Sequence, residues 1–300
     1  MKKLSTKDRA AIVRCLVEGC SIRSTTRMTG ASKNTVAKLL VDLGAACRDW
    51  HDENVVGLNT DRVQCDEIWS FVGAKQKQVE KGASGAGDVW TWTAIDADTK
   101  LAITWLVGER DGGTAYDFMH DLAGRLVSRV QLTTDGLNAY LDAVLDNFGP
   151  YVDYAQLVKL YGDDPRLKNK SPQARYSPSK CTGSKKYARI GTPDPKHINT
   201  SYVERANLTM RMSMRRYTRL TNAFSKKVEN HEAMTSLHFC YYNLCRVHST
   251  IRVTPAMEAG ITDRVWTIEE LVGILEASED AVIGTEANKR GPYKKGQDSD

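Results

Sequence analysis

Between residues 63 and 135 the chain repeats short apolar runs in an order that few architectures can accommodate. "VQCDEIWSFVGAK" (63–75), "VWTWTAID" (89–96) and "LAITWLVGE" (101–109) are rich in β-branched and aromatic residues, so they predict three strands. "ADTK" joins the last two as a turn, which gives Asp96 and Asp98 structural roles. In "TAYDFMHDLAGRLVS", Ala115, Phe118, Met119 and Leu122 keep helical spacing, and "VQLTTD" then predicts a short strand ending at Asp135. A helix over "LNAYLDAVLDNFG" and a fifth strand over "YVDYAQLV" follow. Three antiparallel strands, a crossover helix and a fourth strand define an α/β fold. A right-handed crossover lays the fourth strand parallel to the first, most simply beside it.

In that arrangement, which is typical of the ribonuclease H-like fold, Asp66 and Asp135 face each other across neighbouring strands. Period-2 alternation puts Glu67 with Val63, Cys65, Trp69 and Phe71 on one face of the first strand. Asp66 falls with Gln64 and Ile68 on the other. Burial on both faces would make that alternation uninformative, so Glu67 stays a rival to Asp66 at this point.

Residues 1–45 predict a small all-α unit. Ser5 caps a helix through about Glu18, Ser21 begins a short second helix stopped at Gly30, and Ser32 caps a third. Val36, Leu39, Leu40 and Leu43 bury one face of that third helix. Lys33, Asn34, Thr35 and Lys38 stay outside near its N-terminus. This is the helix-turn-helix pattern, whose last helix enters the major groove, and these four residues are the candidate DNA contacts. An ordinary three-helix bundle is the alternative. Residues 46–62 read as a polar linker, 63–260 as the α/β domain with a basic irregular insertion at about 158–199, 261–284 as a C-terminal helix, and 285–300 as a disordered tail.

Charge separates the partners that such a chain can have. The net charge is only +5, yet residues 1–50 carry a net +6 and residues 166–227 a net +14, against an acidic remainder. Two basic blocks favour a polyphosphate partner, double-stranded DNA above all. Hydrophobic content of 41% is ordinary for a globular chain, and no run approaches a membrane span. No apolar segment follows the basic start, so a cytoplasmic address is expected. The seven cysteines include no C-x-x-C pair, which argues against a disulfide framework or zinc ribbon. His238, Cys240, Cys245 and His248 lie close in sequence, but helical phase separates the two cysteines.

From Thr200 the sequence reads as helical to about Arg246. Its first part carries Arg205, Arg211, Arg215, Arg216 and Arg219 around a single acid, Glu204. Asn207 and Arg211 fall on the same side as Glu204, where both can reach one phosphate, and Arg215 and Arg219 extend that stripe. Ser201-x-x-Glu204 is also a capping box, in which Glu204 would only satisfy a backbone N–H. His197, just before it, is a candidate for DNA contact or proton transfer.

"QCDEIWSFVGAK", "TTDGLNAY" and "YVERANLTMRMSMRRYTRLTNAFSKKVENHE" together resemble the insertion-sequence-one type of DDE transposase. "YYNLCRVHSTIRVTPA" resembles the closing segment of many transposase catalytic domains. The resemblance covers roughly residues 60–260. It implies a catalytic, metal-binding triad of Asp66, Asp135 and Glu204, with the helix-turn-helix reading element ends. It also implies strand cleavage and strand transfer, at least a homodimer, and two Mg²⁺ ions with Mn²⁺ as a substitute. The chemistry favours the same residue types, because two hard cations held by carboxylates assist in-line attack on a phosphodiester. A helix-turn-helix regulator with a non-catalytic second domain, and a ribonuclease H-like nuclease, are the competing functions.

Overall fold

A computed structural model describes residues 4–80, 85–162, 181–218 and 222–289, with side chains described to residue 281. Six strands form one sheet: β1 (Arg62–Val72), β2 (Gly87–Asp96), β3 (Ala102–Gly108), β4 (Val130–Thr134), β5 (Val152–Tyr161) and β6 (Cys181–Ile190). Their order is β3-β2-β1-β4-β5-β6. β1 is antiparallel to β2 and parallel to β4, which is parallel to β5. This is a mixed, ribonuclease H-like arrangement, with the fourth strand parallel to the first and beside it as the crossover suggested.

Helices cover both faces. α4 (Gly112–Arg125) and α5 (Ala139–Phe148) lie on one, where Trp92 of β2 meets Phe118 at 5.9 Å and Tyr140 at 5.2 Å between ring centres. α6 (Ser201–Ser213) and α7 (Val228–Leu244) lie on the other, where Trp105 of β3 stacks on Phe239 at 4.8 Å. α8 (Pro255–Glu258) and α9 (Ile268–Lys289) complete the chain. Among the described residues no helix is long and apolar enough to cross a membrane.

The N-terminal helices α1 (Thr6–Val17), α2 (Ile22–Thr29) and α3 (Lys33–Asn54) begin at the expected caps. The hydroxyls of Ser5, Ser21 and Ser32 accept the backbone N–H groups of Asp8, Ser24 and Thr35. Gly30 ends α2 at φ 74°, a left-handed conformation that favours glycine. These helices share one hydrophobic core with the sheet. At the crossing of α3 and α7, a Cβ on Gly44 would stand 2.4 Å from the carbonyl oxygen of Ala233, so the backbones meet there because the side chain is absent.

Four stretches differ from the sequence expectation. The linker assigned to 46–62 is helical through Asn54, because Ala46, Cys47 and His51 continue the buried face of α3. The basic insertion at 158–199 is not irregular throughout: β5 runs to Tyr161 and returns as the antiparallel strand β6, while residues 163–180 lie outside the described residues. The helix expected from 200 to 246 is broken, since α6 stops at Ser213, a short 3₁₀ turn spans Arg215–Tyr217 and α7 starts at Val228. Buried Tyr217 draws the chain inward there, its hydroxyl bonded to Thr91 at 2.8 Å and Thr235 at 2.6 Å. The tail assigned to 285–300 is helical to Lys289, and residues 290–300 lie outside the described residues.

Candidate active site

Parallel pairing of β1 with β4 matches Gln64 to Thr133. Asp66 and Asp135 each stand two residues further along, so the register sets them side by side. Asp66, Glu67 and Asp135 each present a carboxylate oxygen, and the three lie within 4.8 Å of one another.

Their surroundings differ. Asp66 faces α6, where Nδ2 of Asn207 donates to its Oδ2 at 2.9 Å. Asp135, just past β4, accepts the N–H of Leu137 at 2.9 Å, which fixes its side chain at the strand end. Glu67 faces the opposite side of the sheet, toward α5. Nε of Arg110 donates to its Oε1 at 2.7 Å and the Tyr140 hydroxyl to its Oε2 at 3.2 Å. The Glu67 side chain is only 1% exposed, against 34% for Asp135. Glu67 is thus a buried, neutralised partner of Arg110, which also lies 3.8 Å from Asp135.

Electrostatics mark the same spot. Burial, then the charges of Glu67 and Asp135, push the Asp66 carboxyl up to about 8. Burial raises Asp135 as well, with the charge of Glu204 adding to it, and burial followed by Asp135 raises Glu67. Clustered, shifted carboxylates are a feature of functional sites.

Glu204 stands in the first turn of α6, at the same sheet end, and its charge is felt by both Asp66 and Asp135. Its carboxylate does not join the 4.8 Å group. Instead Lys159, on β5, holds both of its oxygens, and the Thr200 hydroxyl bonds one of them. The capping box is not formed. The N-terminus of α6 is met by Gln64 of β1, whose Oε1 accepts from Tyr202 N at 2.9 Å and Val203 N at 3.3 Å. Gln64 thereby fixes the helix bearing Glu204 to the strand bearing Asp66.

The other sequence-named residues divide. Lys33, Asn34 and Lys38 are exposed on α3, with Lys38 paired to Asp42 and Thr35 bonded to Ser32. Asn207 is buried and directed at Asp66, not at a phosphate-facing surface, which corrects the shared-phosphate expectation. Arg211 turns Nη1 onto the carbonyl of Tyr217 at 3.0 Å. Arg215 is exposed beyond the end of α6, so it does not extend a helical stripe, and Arg219 lies outside the described residues. His197 bonds Arg62 at 2.5 Å, four residues before Asp66 and about 13 Å from it along the strand. Asp96 and Asp98 serve the β2–β3 turn: Asp96 accepts the N–H of Asp98 at 2.8 Å, and Asp98 pairs with Arg62.

Sequence reasoning missed Gln64, Arg110 and Lys159. Gln64 carried a signal, since alternation had placed it on the Asp66 face. Arg110 and Lys159 carried none, being single cations at strand ends.

The donor set fits a hard divalent cation. Asp66, raised by burial and by the charges of Glu67 and Asp135, has no ion pair of its own among the described residues. Beside them Oδ1 of Asn207 is buried without a hydrogen-bond partner, a polar atom with unmet demand.

No protein-family model and no curated protein matches the chain. Among solved structures, the chain is similar to a cryo-EM structure of the piggyBac transposase synaptic complex with hairpin DNA. The identity is 10%, the TM-score 0.44, and the likeness covers 98% of this chain and 76% of that one. A crystal structure of the Mos1 strand transfer complex aligns at 13% identity and TM-score 0.23, covering 80% of this chain and 78% of the other. At scores this low, the reading of this chain rests on its own geometry.

Proposed function

We propose that the chain is a DNA transposase of the DDE type, with Asp66, Asp135 and Glu204 as its catalytic carboxylates and the N-terminal helices reading the element ends. The observation that carries this reading is the proximity of the Asp66 and Asp135 carboxylates, within 4.8 Å at one sheet end, with the helix bearing Glu204 capped from the same strand by Gln64. Asp66 and Asp135 would hold divalent cations, Mg²⁺ by preference, and Glu204 would complete the set once Lys159 lets go of it. Bound there, such ions supply charge stabilisation to a phosphoryl group and lower the pKa of a coordinated water.

The chain's own residues do the rest. Asn207 orients Asp66, Arg110 and Glu67 buttress Asp135, and the basic segments hold the DNA. In the first reaction, water attacks the phosphorus at an element end. The bond to the 3′-oxygen breaks, and that oxygen leaves as a 3′-hydroxyl. In the second, this hydroxyl attacks a target phosphodiester and displaces its 3′-oxygen, so no covalent enzyme intermediate is required. Handling two ends calls for at least a dimer.

The test is strand cleavage by purified protein on end-containing DNA with Mg²⁺. Asp135→Asn and Glu204→Gln are expected to bind DNA but to cut it at least about 10³-fold more slowly. Cleavage equal to the parent would remove the assignment.

A further inference from the structure

A cleft of about 960 Å³ separates the α1–α2 turn from the segment that follows α6. Its two walls touch at one edge, where a Cβ on Gly19 would stand 2.9 Å from the carbonyl oxygen of Ser213. The helical unit and the segment after α6 therefore form one continuous surface.

The charges lining the cleft have one sign. Arg23 and Lys33 come from the helical unit, and Arg215, Arg216 and Lys226 from the opposite wall, with no Asp or Glu among the lining residues. Among the described residues none of the five is ion-paired with a carboxylate. Arg216 is the informative one. Its Nη1 donates to the Ser225 hydroxyl at 3.0 Å and to the Asn230 carbonyl at 2.5 Å, both neutral acceptors. Burial lowers its pKa to about 10. A guanidinium withdrawn from water without a counter-charge is costly, and an incoming phosphate supplies that charge in a geometry guanidinium favours.

Position adds the second argument. Ser213 is nine residues beyond Glu204 on α6, about 14 Å along the helix axis. For a duplex laid along α6, at about 3.4 Å of rise per base pair, that is roughly four base pairs.

We propose that this cleft is a second DNA site, which grips the phosphodiester backbone of one strand about four base pairs from the phosphate served by Glu204. The offset rests on the active-site reading above, whereas the phosphate grip does not. The site joins end recognition to the sheet: the strand held by Arg215, Arg216 and Lys226 is also touched by Arg23 and Lys33.

The test uses the full chain, a fluorescein-labelled duplex of arbitrary sequence and EDTA, so that cleavage plays no part. Two variants are compared with the parent by anisotropy across a salt series: Arg216→Met, and Arg215→Ala combined with Lys226→Ala. The double variant alters two exposed residues, so it serves even where Arg216→Met does not fold. The expected result is a salt slope shallower by about one per charge removed, and binding at least about tenfold weaker for the double variant. Cys20 lines the cleft and supplies a local readout. Its alkylation, followed by peptide mass spectrometry, is expected to slow at least about tenfold when duplex saturates the parent.

Unchanged affinity and slope would overturn the proposal, as would weaker binding with Cys20 unprotected. Equal protection by polyglutamate at the same ionic strength would overturn it too, since the site would then not be one for a phosphate backbone. If Asp135→Asn and Glu204→Gln cut like the parent while Cys20 is protected, the active-site reading and the offset fall and the phosphate site stands.

Discussion

The side-chain oxygen of Gln64 accepts the backbone N–H of Tyr202 at 2.9 Å, which ties β1 to the first turn of α6. The same oxygen receives Val203 N, and the Gln64 amide donates to Asn199 at 2.7 Å, so one buried glutamine closes three bonds across the site. Glu204 has no cap of its own to hold the helix start, because the Thr200 side chain makes no capping bond to the backbone. Gln64→Leu is therefore expected to cost about 1–2 kcal/mol of stability, the usual loss for a helix cap. Cleavage is expected to fall further than stability explains, since Glu204 loses its fixed distance from Asp66. Thermal melts set against single-turnover cleavage measure the two effects. A variant that melts lower but cuts at the parent rate would deny Gln64 a positioning role.

Lys159 is the only cation bonded to Glu204 among the described residues, and both groups are partly exposed. A lysine on both carboxylate oxygens competes with any metal for the same lone pairs. Lys159→Met keeps most of the stem and removes the charge. With solvent screening discounting the pair, Mn²⁺ is expected to bind about three- to tenfold more tightly to the variant. Titration calorimetry without DNA reads this directly. Unchanged or weaker Mn²⁺ binding would show that Glu204 takes no part in holding the ion.

The parts of this site that the sequence disclosed are those governed by local rules. Ser5, Ser21 and Ser32 announced three helices because capping involves only neighbours along the chain. Alternation in β1 separated Asp66 from Glu67, and the handed crossover set β1 beside β4. β6 stayed hidden for a physical reason: "CTGSKKYARI" is an edge strand exposed along nearly its whole length, so no buried face imprints a period on it. The end of α6 was equally hidden. "MRMSMRRYTRL" contains good helix formers throughout, and only the three-dimensional pocket around Tyr217 shows why the helix stops. Glu204 fitted both a capping pattern and a catalytic one, and the helix start is in fact met by Gln64, 140 positions earlier, which no local pattern announces.

Gly44 sits where α3 crosses α7, with Ala233 O and Cα only 2.4 and 2.5 Å from the place a Cβ would take. Both contacts are backbone atoms, so the helices must move apart to admit a methyl group. Gly44→Ala gains up to about 1 kcal/mol in helix propensity. Overpacking costs about 1–3 kcal/mol, and the net is expected to be destabilising. A lower melting temperature, by about 2–4 °C per kcal/mol, is the readout. A rise in melting temperature would mean that the crossing is looser than described.

Asp66 supplies the pH prediction. Its folded-state carboxyl lies at about 8, against 3.8 for an unperturbed one, through burial first and then the charges of Glu67 and Asp135. With a raised folded pKa the native state binds the extra proton. The associated stability is complete below about pH 4 and is lost as pH rises to about 8. Asp66→Asn keeps the shape and removes the titration. In EDTA the variant is expected to be more stable than the parent by a margin that widens from about pH 4 to about pH 8 and then levels. A metal ion must displace the same proton, so Mn²⁺ affinity of the parent is expected to rise up to about tenfold per pH unit until about pH 8. In Asp66→Asn that steepness is expected to fall, leaving Asp135 and Glu204 with weaker affinity. Calorimetric melts and Mn²⁺ titrations on the two proteins at matched ionic strength measure both trends. Parallel stability curves for parent and variant across that range would mean that Asp66 is already ionised in the folded protein, and the crowding of carboxylates at this sheet end would no longer explain a demand for cations.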